Sequence, residues 1–83
     1  MATREQNEKE YRNWIDLSDG SRRYWRERKG KVSGLQRMIK IVDTNENTLL
    51  VVQEIYSDSG ELIERHQKFP HDTGHQVIAK DIR

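Results

Sequence analysis

Residues 49–56 read Leu49-Leu-Val-Val-Gln-Glu-Ile-Tyr56, an apolar, β-branched run that reads as a strand. Side chains alternate along a strand, so Leu49, Val51 and Ile55 point one way while Leu50, Val52 and Tyr56 point the other. Both faces are apolar at this strand, and each needs a cover.

Three more strands are expected around it. Arg22–Lys29 begins with the aromatic pair Tyr24 and Trp25, Leu35–Val42 holds Ile39 and Ile41 at alternating positions, and Leu62–Phe69 closes the set. Gly30 to Gly34, Asp43-Thr-Asn-Glu-Asn47 and Ser57-Asp-Ser-Gly60 separate them. Each separator is short and made of turn residues, which predicts an antiparallel meander over residues 21–69.

Upstream, Thr3 to Ile15 reads as a helix. Thr3 and Gln6 match a capping box, and Tyr11, Trp14 and Ile15 share one face. Residues 1–8 are polar all round and are expected to fray. Asp16 to Gly20 follows as a turn. Downstream, Pro70-His-Asp-Thr-Gly74 reads as another turn, with Asp72 or Thr73 capping a short final helix. The stripe on the first helix covers one face of the sheet. The tail around Val77, Ile78 and Ile82, or a second copy in a homodimer, covers the other. The expected fold is one small α+β domain spanning residues 1–83: an N-terminal helix, a four-stranded antiparallel meander and a short C-terminal helix or tail.

The chain has no cysteine, which excludes disulfides, thiolate metal sites and a cysteine nucleophile and suits a reducing cytoplasm. The N-terminus lacks the apolar core of a signal peptide, and the longest apolar run, Leu49 to Val52, is too short to cross a bilayer. A cytoplasmic protein without a membrane partner is expected. Glycine-rich phosphate loops, serine nucleophile elbows and carboxylate-rich metal clusters do not occur in recognisable form.

Charge is strongly segregated. Between Ser21 and Lys40 lie eight basic residues and one acid, a balance of +7; the whole chain carries +1, so the remainder carries −6. Such a block is the electrostatic footprint of an anionic partner. The candidate nucleic-acid contacts are Arg22, Arg23, Arg26, Arg28, Lys29 and Lys31, with Tyr24 or Trp25 stacking an unpaired base. Arginine dominates, which suits bidentate phosphate contacts. RNA is favoured over duplex DNA because no recognition helix carries the charge. The plainer account is that these arginines line the solvent side of an edge strand and discourage aggregation.

All three histidines, His66, His71 and His75, fall within ten residues, with Asp72 among them. Imidazoles and a carboxylate would suit zinc, manganese or iron, but Pro70 and Gly74 argue against the clean helix that would align His71 with His75, and no metal or cofactor is expected. As acid and base, histidines can take a proton from a ribose hydroxyl and return one to the leaving oxygen without a metal. His66, His71 and His75 are therefore the candidate catalytic residues. The plainer account makes His66 an exposed strand residue and the rest a turn.

Gly60-Glu-Leu-Ile-Glu-Arg65 followed by Phe69-Pro-His-x-x-x-His75 resembles the C-terminal region of TumE-type toxins of prokaryotic toxin-antitoxin pairs, over about twenty residues. The family has an Asn-Ala-Pro-His-His-like element where this chain runs Arg65-His-Gln-Lys-Phe69. The resemblance implies a small prokaryotic protein acting on nucleic acid, with Pro70, His71 and His75 as the positions carried over. The functional expectation is an RNA-binding protein, with a toxin-like, metal-independent ribonuclease as its enzymatic form. The rival is a non-enzymatic interaction module, such as a phage or defence-system accessory or inhibitor, whose basic face meets an acidic protein such as a cognate antitoxin.

Overall fold

The computed structural model describes residues 2–30 and 34–77. The chain forms one helix, α1 (Arg4–Tyr11), and six strands, β1 (Asn13–Asp16), β2 (Arg22–Lys29), β3 (Leu35–Val42), β4 (Thr48–Tyr56), β5 (Leu62–Phe69) and β6 (Gly74–Val77). The strands lie in one antiparallel sheet in chain order. The α+β class and the central meander are as expected, with two additional edge strands.

The first added strand shortens the expected helix. The capping box forms: Gln6 N–H donates to Thr3 Oγ1 at 3.2 Å and Thr3 N–H donates to Gln6 Oε1 at 2.9 Å. Arg12 then turns left-handed, with φ 70°, and ends the helix at Tyr11. Trp14 and Ile15 are strand residues paired with Tyr24 and Arg23. A large aromatic and a β-branched side chain suit a pleated edge better than a fourth helical turn. The turn at 16–20 is present, but it joins two strands of a hairpin, closed by Leu17 N–H to Ser21 O at 2.8 Å.

The second added strand replaces the start of the expected C-terminal helix. Asp72 and Thr73 clip the loop between β5 and β6 instead of capping a helix. Gly74 N–H donates to Asp72 Oδ1 at 2.9 Å, and Thr73 N–H donates to Gln67 O at 2.9 Å. Gly74–Val77 then pairs with β5 through Gln67↔Gly74 and Glu64↔Val77. The expected cover from Ile78 and Ile82 lies outside the described residues.

Helix α1 packs on β1 and β2, over the face that carries Tyr24 and Val42. Tyr11, Tyr24 and Val42 form the core there, with Met38 packed against them. Buried Asn7 joins the sheet to the helix: Lys40 Nζ donates to its Oδ1 at 2.8 Å, and its Nδ2 donates to Glu46 Oε2 at 3.0 Å. Trp14 and Ile15 do not form the expected helical stripe, and Ile15 is exposed on the opposite face of the sheet. That opposite, open face holds Trp25, Ile39, Ile41, Leu50 and Val52. Among the described residues no element lies over it.

Candidate nucleic-acid interface

Strand alternation sorts the basic block onto two faces. Arg22, Tyr24, Arg26 and Arg28 project on the helix face; Arg23, Trp25 and Lys29 project on the open face. On the helix face beyond α1, register aligns Arg26, Met38, Gln53, His66 and His75 in one row across five strands. Arg28 and Gln36 begin the adjacent row. A bulge in β5 between Gln67 and Phe69 brings Lys68 to the same region. Arg26, Arg28, Gln36, Met38, Gln53 and Lys68 line a polar cleft of about 230 Å³, with the paired Glu27 and Arg37 also at its wall.

Internal pairing removes much of the charge that the sequence concentrates here. Arg22 is buried, donating to Asp16 Oδ1 at 2.7 Å and Glu8 Oε2 at 2.8 Å, with its guanidinium over the Trp14 and Tyr24 rings. These hydrogen bonds, that with Asp16 foremost, raise the Arg22 pKa and lower that of Asp16. Arg26 lies 3.6 Å from Glu10 and over the Tyr11 ring. Arg37 donates to Glu27 at 2.7 Å. Three acids from outside the block and one inside it thus meet its cations. Among the described residues no ion pair involves Arg28, Lys29 or Lys68.

Tyr24 cannot stack a base from this position. It is 0% exposed, between Tyr11 at 5.8 Å and Trp14 at 6.2 Å, and its hydroxyl donates to Glu46. Trp25 is half-buried on the open face with Arg23 over its ring at 5.1 Å, so it does not share a face with the cleft. The aromatics exposed on the helix-bearing side are Trp14, at 40%, and Phe69, at 42%, which pairs with Val51 beside Lys68. Lys31 lies outside the described residues.

Two of the three histidines, His66 and His75, are register partners on adjacent strands, and His71 lies in the connection between them. His66 Nε2 lies 2.5 Å from Asp72 Oδ1, and its Nδ1 is buried. The Gly74 amide, and after it His66, hold the Asp72 carboxyl below the usual carboxylate range. His71 is exposed in the turn, where its carbonyl accepts from Gln67 Nε2 at 3.3 Å. Among the described residues no group of three His, Asp or Glu is arranged to hold a metal ion, and no helix is long and apolar enough to cross a membrane.

Sequence reasoning does not bring Gln36, Gln53 and Lys68 into one cleft with Arg26 and Arg28. Alternation along β2 was enough to put Arg26 with Arg28. The other three come from strands whose register no local pattern announces. Comparison with protein-family models, with curated proteins and with solved structures finds no match to this chain.

Proposed function

We propose that this protein binds single-stranded nucleic acid, RNA in preference, with phosphates held in the cleft on the helix face. The observation that carries the reading is the meeting of Arg28 and Lys68, cations without an ion-pair partner among the described residues, with Arg26 and the amides of Gln36 and Gln53 around one polar concavity. Cations attract the phosphates and side-chain amides donate to their oxygens, which gives sequence-tolerant contact with a backbone. Single strands are favoured because α1 lies flat on the sheet and offers no basic helix to a groove, while Trp14 leaves a ring face for an unpaired base. Arg23 and Lys29 lie on the other face and contribute to the general field only.

The enzymatic form of this proposal is a toxin-like, metal-independent ribonuclease using His66, His71 and His75. Of these, His71 has the accessible side chain in the described turn, whereas His66 is engaged by Asp72. A second reading, the non-enzymatic interaction module, is favoured by the neutralisation of Arg22, Arg26 and Arg37 by neighbouring carboxylates. One experiment separates the readings. Labelled single-stranded RNA, duplex RNA and DNA are tested for mobility shift and cleavage at low and moderate salt, with wild type and a His71→Ala, His75→Ala variant. Retarded single-stranded RNA supports the binding proposal, and cleavage lost in the variant supports the ribonuclease. No retardation of any nucleic acid transfers the surface to an acidic protein partner.

A further inference from the structure

The open face carries a row of alternating charge. Glu27 on β2 is opposite Arg37 on β3, Arg37 is opposite Glu54 on β4, and Glu54 is opposite Arg65 on β5. Read across the sheet, the signs run minus, plus, minus, plus. One flanking row holds Trp25, Ile39, Val52 and Gln67, and the other holds Lys29, Leu35, Tyr56 and Leu62. Ile39 and Val52, neighbours at the centre of the face, are already buried in the single chain, and the half-buried Trp25, Ile41, Leu50 and Tyr56 around them are the apolar side chains left to cover. The charged row itself sums to zero, while Arg23 and Lys29 add positive charge elsewhere on the same face.

We propose that this face binds a second copy of the chain, stacked about a two-fold axis that lies between the sheets and runs parallel to the strands, between β3 and β4. That operation turns the strand order end for end and leaves height along the strands unchanged. Glu27 then faces Arg65 of the partner subunit, and Arg37 faces Glu54 of the partner subunit. An even-numbered row of alternating signs is complementary to itself under this rotation, which is what an isologous interface requires. A row of one sign, or one with like charges at its two ends, would repel itself in the same arrangement.

Two further considerations support a second copy. A sheet needs a second layer to bury an apolar face, and helix α1 supplies one only over β1 and β2 on the other side. A stacked copy makes a two-sheet sandwich, in which aligned sheets cross at about 30°. The Arg37 and Glu54 contacts adjoin the axis, where that rotation displaces them least. The footprint is also sufficient. Four strands of about eight residues and two of about four, spaced by about 4.8 Å with about 3.4 Å per residue, cover roughly 650 Å². Specific interfaces bury about 600–1,000 Å² of accessible surface per partner, so the footprint lies at the lower end of that range. The cleft cations Arg26 and Arg28 project from the opposite face, but Glu27 and Arg37 also line the cleft wall, so the oligomeric state is read by sedimentation and not by RNA binding.

Sedimentation from micromolar to sub-millimolar concentration tests the proposal. The wild-type chain, 9.9 kDa as a monomer, is expected to reach twice that mass. The variant Glu27→Arg, Glu54→Arg has a uniformly basic row; the variant Arg37→Glu, Arg65→Glu has a uniformly acidic one. Each alone is expected to associate at least about 30-fold more weakly than wild type, and the two mixed are expected to form a 1:1 heterodimer. A wild-type monomer at every concentration overturns the proposal, as does self-association of either folded variant as tight as wild type. Circular dichroism reports whether the variants fold. If either does not, Leu50→Lys, a half-buried position on the same face, takes its place: a folded monomer supports the proposal and an unchanged dimer overturns it.

Discussion

The phenol of Tyr24 donates a 2.8 Å hydrogen bond to the carboxylate of Glu46, which lies in the loop between β3 and β4. Glu46 also accepts from Asn7 at 3.0 Å and Arg4 at 3.3 Å, both on α1. One carboxylate therefore ties the helix, β2 and the β3–β4 hairpin together. Burial pushes the Glu46 pKa up, but the donors from Asn7, Tyr24 and Arg4 outweigh it and hold the group ionised below its ordinary value. Tyr24 is in turn pushed up, by burial first and then by the carboxylate.

Tyr24→Phe removes this bond and keeps the ring. A hydrogen bond to a charged group contributes about 1.5–3 kcal/mol, so urea denaturation is expected to report a loss in that range. A loss near zero would mean that the Asn7 and Arg4 donors satisfy Glu46 without the phenol.

Gly34 and Gly60 have similar left-handed backbones, with φ 80° and 86°, in different surroundings. A Cβ at Gly34 would sit 2.1 Å from the Tyr56 carbonyl oxygen, whereas one at Gly60 meets nothing within 4 Å. Gly60→Ala is expected to cost about 1–2 kcal/mol from the backbone alone. Gly34→Ala adds overpacking against β4 and is expected to cost more than about 3 kcal/mol. Equal losses in chemical denaturation would contradict the close approach of the β2–β3 turn to Tyr56.

Asp72 links the β5–β6 turn to pH. It releases its proton more readily in the folded chain than in the unfolded one, so its contribution to stability is fully present above the unfolded value of about 3.9. That contribution is lost as pH falls through the lower folded value. An NMR titration of the Gly74 amide, which donates to Asp72, is expected to show a midpoint below about 3.9. A midpoint at or above that value would remove the amide and His66 as stabilisers of the carboxylate.

Charge reversal separates cations that face the cleft from those that hold the fold. Arg28→Glu with Lys68→Glu is expected to weaken binding of single-stranded RNA and to flatten the salt dependence by about two phosphate contacts. Arg22→Met, at a buried side chain paired with Glu8 and Asp16, is expected to lower stability and leave the salt slope unchanged. An unchanged slope in the first variant would place the phosphates elsewhere.

The sequence by itself determined the four central strands, because alternation at Ile39 and Ile41, the β-branched run at 49–56 and the intervening turn residues are local properties of the backbone. It also determined the capped start of α1, through Thr3 and Gln6, and the segregation of charge. Only the tertiary structure decided the edges. Asn13–Asp16 and Gly74–Val77 are four-residue strands whose pairing with β2 and β5 supplies hydrogen bonds that no local pattern encodes. It also decided which cations face solvent: Arg22 and Arg28 look alike in the chain, yet Glu8 and Asp16 sequester the first. Register across strands brought Gln53 and Lys68 to Arg28. Local sequence sets what a segment can form, whereas cross-strand register and ion pairing depend on residues distant in the chain, so the candidate site emerged with the fold.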